Sequence, residues 1–144
     1  MLFRSVHHRR FKDTLAEYFD HTTFGPHRLR KDGHVYLGAS PSKKSVSRLR
    51  RKVGDLLTPS NVASWPEVRH RLNSVLRGWS SYFSCGDRYK AYRAVDHYVY
   101  DSVRHFLRRR QKVSSLGTSI FSTNVVFGKL GVLRMRDVFW SSPP

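Results

Sequence analysis

From residue 43 onward, the apolar positions of this 144-residue chain recur at the period of an α-helix. Val46, Leu49, Val53, Leu56 and Leu57 share one face of a helix predicted over residues 43–57. Gly38 and Pro41 stop the extended chain before it, and Ser42 is placed to cap it. A second series, Val68, Leu72, Val75, Leu76, Trp79, Tyr82 and Phe83, traces a wide stripe on a helix that opens at Ser64-Trp65-Pro66-Glu67, the pattern of a capping box. Cys85-Gly86 ends that helix. Asp87 then caps a third, running to about residue 110 with Tyr89, Tyr92, Val95, Val99, Val103, Phe106 and Leu107 inward.

Upstream the pattern changes. Thr22-Thr23-Phe24 and His34-Val35-Tyr36-Leu37 have strand character, and Asp32-Gly33 suits a tight turn, so residues 22–40 read as a β-hairpin. Phe11, Leu15, Tyr18 and Phe19 fit a short helix before the Gly25-Pro26 break. After Lys112, Ser, Thr and Gly prevail. Two apolar islands, Val125-Val126-Phe127 and Gly131-Val132-Leu133, are expected to dock back on the helices, with residues 141–144 frayed. The fold class is mainly α: a three-helix bundle preceded by a short β-hairpin, with an irregular C-terminal tail.

The polar positions are overwhelmingly cationic. The chain carries 27 Lys and Arg against 10 Asp and Glu, a formal charge of +17, which attracts polyanions. Six of the ten residues from 43 to 52 are basic and none is acidic. These are Lys43, Lys44, Arg48, Arg50, Arg51 and Lys52. Cations in a first helical turn oppose the macrodipole, so Lys43 and Lys44 are poorly placed for stability and well placed for phosphate. Arg77 and Arg104 are expected as supporting cations. Arg108, Arg109 and Arg110 suit the dipole of their helix end and take a secondary RNA-binding role. Val46, Leu72, Leu76, Trp79, Tyr82 and Phe83 form the scaffold. Gly78 costs its helix about 1 kcal/mol relative to Ala, which predicts a close approach by another backbone.

The search for chemistry is negative. One cysteine, Cys85, allows neither an internal disulfide nor a thiolate zinc cluster. The eight histidines lack metal-ligand spacing, and no Gly-rich phosphate loop is present. Asp96 and Asp101 read as exposed partners of nearby arginines rather than an acid and a base. No catalytic residue, metal or cofactor is expected. With no apolar run near the roughly 20 residues that span a bilayer, no membrane partner and a cytoplasmic location are expected.

A series of short words then resembles the maturase-specific, or X, domain of group II intron reverse transcriptases. They are Tyr36-Leu37-Gly38, Pro41-Ser42-Lys43-Lys44-Ser45-Val46, Arg71-Leu72-Asn73 and Leu76-Arg77-Gly78-Trp79-Ser80-Ser81-Tyr82-Phe83. They continue through Ala91-Tyr92-Arg93-Ala94-Val95-Asp96, Arg104-His105-Phe106-Leu107-Arg108-Arg109-Arg110 and Phe127-Gly128-Lys129-Leu130-Gly131-Val132. The resemblance implies a domain that binds structured intron RNA, assists its folding and splicing, and in complete relatives is the polymerase thumb gripping the template-primer duplex. Those relatives carry a palm with a Tyr-x-Asp-Asp motif, and this chain has no Asp-Asp pair, so polymerisation by the chain alone is not expected. The domains expected are a leader without assigned role at 1–21, a hairpin resembling the end of the palm at 22–40, the maturase-specific helical domain at 41–112 and a docking extension at 113–144. The alternatives are a thumb fragment of a truncated or split RNA-directed DNA polymerase, active only with a palm-bearing polypeptide, and a decayed fragment.

Overall fold

A computed structural model describes residues 22–29, 35–83 and 88–141. Two strands, β1 (Thr22–Leu29) and β2 (Val35–Pro41), pair antiparallel. The Gly25-Pro26 step expected to break the chain is instead absorbed within β1. Pairing runs from Thr22 opposite Pro41 to Phe24 opposite Ala39, then resumes at His27 opposite Leu37. The extra residue is a bulge, where a strand tolerates both Gly and the missing donor of Pro. Nor does Gly38 end β2, which continues to Pro41 and leads directly into the first helix. The hairpin turn, the helix expected between Phe11 and Phe19, and the residues 84–87 all lie outside the described residues.

Three helices follow: α1 (Lys43–Leu56), α2 (Trp65–Tyr82) and α3 (Tyr89–Arg110). Ser42 caps α1 as expected, its hydroxyl accepting from Ser45 N at 3.1 Å. The capping box of α2 is not made. Ser64 occupies the N-cap position without a side-chain bond, and Glu67 pairs with Arg71 at 2.7 Å, while Pro66 in the first turn needs no donor partner. At α3 the N-cap position is held by Arg88 without a side-chain bond, and Asp87, expected as the cap, lies outside the described residues.

The core is contributed by the predicted stripes. Leu49, Val53 and Leu57 meet Val68, Leu72 and Leu76, and both sets meet Tyr92, Val95, Val99, Val103, Phe106 and Leu107. Each of these side chains contributes about 1.5–3 kcal/mol by leaving water. Tyr89 departs from the pattern and is exposed. Tyr92 closes the α2–α3 corner, its hydroxyl donating toward the carbonyls of Ser80 at 3.2 Å and Phe83 at 3.4 Å, beside the buried Arg88. Burial pushes the Tyr92 phenol up, and Arg88 pulls partly against that shift.

The C-terminal segment is irregular over much of its length, as expected, and docks on the helices. It forms a π-helical turn at Val125–Lys129 and a fourth helix, α4 (Met135–Ser141), and seats Phe121, Val126, Val132 and Met135 in the core. Two polar residues hold it. Asn73 on α2 donates to Gly131 O at 2.9 Å and accepts from Leu133 N at 2.8 Å. Asp96 on α3, read as exposed from sequence, is buried and accepts from Met135 N at 2.7 Å and from Arg136 N and Nε at 3.2 Å each. It thereby satisfies the first donors of α4. Desolvation nevertheless pushes the Asp96 carboxyl above its usual range, against the lowering effect of these bonds.

Candidate nucleic-acid interface

The basic run of α1 has no acidic residue in its first turn and a core stripe that occupies one side. Lys43, Lys44, Arg48, Arg50, Arg51 and Lys52 are consequently all exposed. They divide by helical angle into two flanks and a crest. Arg48 and Lys52, one turn apart, reach the α2 side and rim a cleft of about 420 Å³. Its lining includes Ser45, Leu49, Ser74, Val75, Gly78, Trp79, Tyr82 and Phe83. Lys43 and Arg50 reach the other flank, lining a second cleft of about 410 Å³ with Ser47, Val46, Ala91, Ala94 and Lys90 of α3. Arg50 also lies over the Tyr98 ring, its Cζ 5.4 Å from the centroid. Lys44 and Arg51 stand between the flanks.

Sequence periodicity did not bring Lys90 into this set. It joins Lys43 and Arg50 only because α1 packs on α3. A weak signal existed, a cation in the first turn of α3, where the helix dipole opposes it as at Lys43.

Trp79 belongs to the scaffold. Half-buried, it donates from Nε1 to Ser45 Oγ at 3.0 Å, and its ring lies 4.8 Å from Phe83 and 5.7 Å from Tyr92. It therefore ties α1 to α2 beneath the basic face. Leu72 and Leu76 are buried, Val46 and Tyr82 partly so. Gly78 does not meet another backbone: it is exposed, and a Cβ there would find nothing within 4 Å. The close approach occurs at Gly54 instead, where a Cβ would stand 3.2 Å from the Tyr98 hydroxyl.

The second cationic cluster lies along the last turns of α3 and bonds within the fold. Arg104, with its side chain only 11 % exposed, donates to Leu116 O at 2.7 Å and pairs with Asp101 at 3.1 Å. Arg108 donates to Val113 O at 3.3 Å and reaches Ser114 O at 3.5 Å. Arg110 donates to the carbonyls of Ala63 and, at 3.4 Å, Asn61, and lies over the Phe106 ring. Three of the four arginines, Arg104, Arg108 and Arg110, thus donate to the chain's own carbonyls. Arg109 is exposed, as is Arg77, which lines neither cleft.

Among the described residues no group of three or more His, Cys, Asp or Glu could hold a metal ion, and no helix is long and apolar enough to cross a membrane. A comparison with curated proteins gives no match. The family model described as "Group II intron, maturase-specific domain" matches residues 46–121, which takes in most of α1, all of α2 and α3, and the chain to the buried Phe121. That match spans more than half of the 144 residues, and the chain belongs to the group II intron maturase-specific family.

Proposed function

We propose that this chain is an RNA-binding maturase domain that binds structured group II intron RNA through the basic face of α1 and assists its folding and splicing. The observation that carries the reading is the α1 face itself: six exposed cations in ten residues, without an acidic neighbour in the run, on a helix fixed to the bundle by its opposite side. Lys43, Lys44, Arg48, Arg50, Arg51 and Lys52 neutralise phosphates, with Lys90 extending the α3 flank and Arg77 and Arg109 available at greater distance. A partner's phosphates also relieve the conflict between Lys43, Lys44 and the helix dipole. The role is binding, and no bond-making step is assigned to any residue.

Engagement of four to six phosphates implies that the logarithm of affinity falls against the logarithm of salt with a slope of about −3 to −5. The test is binding of intron RNA by the full chain and by the variant Lys43→Ala, Lys44→Ala, Arg50→Ala, Arg51→Ala. The variant should melt like the parent and lose about two orders of magnitude in affinity, with a shallower salt slope. Unchanged affinity removes the α1 face from the interface.

A further inference from the structure

The cleft between α1 and α2 joins an apolar floor, which includes the aromatic Trp79 and Phe83, to the basic face. Leu49, Val75 and Phe83 lie within it, Arg48 and Lys52 rim it from one helix, and Ser45 and Ser74 contribute hydroxyls. Its volume of about 420 Å³ falls in the range of about 300–1,000 Å³ typical of sites for small organic groups. We propose that this cleft receives a single unpaired RNA nucleotide, its base against the apolar floor and its phosphate between Arg48 and Lys52. The inference rests on the RNA-binding reading above and narrows it to a site and a class of ligand.

Three features point to that occupant. The first is the pairing of an apolar surface with two cations one helical turn apart, which suits a flat base joined to a phosphate better than either group alone. Polar complementarity is the second. Ser45 Oγ accepts from Trp79 Nε1 and keeps its own proton to donate, whereas Ser74 Oγ donates to His70 O at 2.9 Å and keeps its lone pairs. A base edge that both accepts and donates is matched by one of each.

The third feature is Gly78. Glycine within a helix costs about 1 kcal/mol relative to Ala, and no packing neighbour accounts for it, because nothing lies within 4 Å of the position its Cβ would take. Its place in the cleft lining supplies the reason: a side chain there would occupy space that the ligand needs. Bases inside a duplex are stacked and paired and cannot enter such a cleft, so the site distinguishes loops, bulges and ends from helical stems.

The experiment uses the full chain and two RNA hairpins identical except for a one-nucleotide bulge, with affinities read by fluorescence anisotropy at one salt concentration. The parent should bind the bulged hairpin about tenfold tighter than the paired one. Gly78→Leu, which replaces Gly with a good helix former, should bring that preference below about twofold and leave affinity for the paired hairpin unchanged. Ser74→Leu fills the cleft from the α2 side and should do the same; it decides the matter alone if Gly78→Leu lowers the melting temperature. Equal binding of both hairpins by the parent overturns the nucleotide site while leaving the basic face intact. So does a bulge preference that persists in both variants. Failure of the parent to bind either hairpin overturns the RNA-binding reading itself.

Discussion

Residues 43–52 and 104–112 are both dense in Lys and Arg, yet one stretch opens a helix and the other closes one. At the opening of α1 the helix offers N–H groups, which a cation cannot use, and Lys43 and Lys44 are exposed there. At the close of α3 it offers carbonyls and the negative end of the dipole. Arg108 shows the result: its backbone carbonyl accepts from Val113 N at 3.0 Å and its guanidinium reaches back to Val113 O. Lys112, at a φ of 50°, makes the left-handed turn that allows this, and its N–H bonds to Arg109 O at 3.3 Å. Together these bonds form a Schellman closure with Lys where Gly is usual. Equal charge density in sequence therefore separates into a run of exposed cations along α1 and, toward the end of α3, arginines that donate to the fold's own carbonyls.

Asp96 should give the largest effect, because it extends the same internal use of charge to Arg136. Asp96→Ala should destabilise the protein by about 3 kcal/mol, since it leaves two N–H groups and a partly buried guanidinium without their acceptor. Chemical denaturation measures this, and a loss below about 1 kcal/mol would mean that α4 is not held by this carboxylate. The pH dependence has the opposite sense to an ordinary paired aspartate. Because the folded-state pKa is raised, ionisation of Asp96 opposes folding. The contribution favouring the fold is complete below the unfolded value and is lost as pH rises through the folded one. The difference in stability between the parent and Asp96→Asn should accordingly shift in the parent's favour as pH is lowered through that raised range.

The next contrast lies between the clusters themselves. Arg104→Ala should cost about 1–2 kcal/mol of stability, from the loss of the bonds to Leu116 O and Asp101 and of packing over Tyr100. It should change RNA affinity by less than about twofold when measured well below the melting temperature. The quadruple variant of α1 should do the reverse. A variant of Arg104 that stays stable and loses RNA affinity would return this arginine to the interface and erase the division between the two ends.

The helices were legible in sequence because each core stripe is a local pattern: Leu49 and Val53, or Leu72 and Leu76, mark their face without knowledge of the partner. The cationic face of α1 followed from the same periodicity. Asn73 and Asp96 were not legible. Their partners lie 58 to 60 residues away for Asn73 and 39 to 40 for Asp96, and nothing in the flanking residues marks either as a clamp. Asp96, with arginines nearby in sequence, has the pattern of an exposed pair. Gly78 was noticed for its helix cost but given the wrong cause, since a packing glycine and a glycine that keeps a cleft open look the same until the third dimension is known. Lys90 escaped for the reason Asn73 did, being brought to Lys43 and Arg50 by packing alone.

The smallest expected effect tests the comparison most directly, because it reverses charge at both helix ends. Lys43 is exposed in the first turn of α1, and Arg109 is exposed in the last turn of α3. Lys43→Glu should stabilise the free protein by about 0.3–1 kcal/mol, as an anion there meets the positive end of the helix and reduces the crowding of cations. Arg109→Glu should destabilise by a similar amount, placing an anion at the negative end. Raising the salt concentration should shrink both differences, since screening acts on exposed charge. In RNA binding, Lys43→Glu should cost more affinity than Arg109→Glu while being the more stable protein. Thermal melts and anisotropy on the two variants measure both quantities. If Lys43→Glu is neither more stable nor weaker in binding, the cations of α1 are not held against the dipole for a phosphate partner. A gain in stability accompanied by a loss of binding is the outcome expected where a helix end has been kept at odds with its own dipole so that a polyanion can complete it.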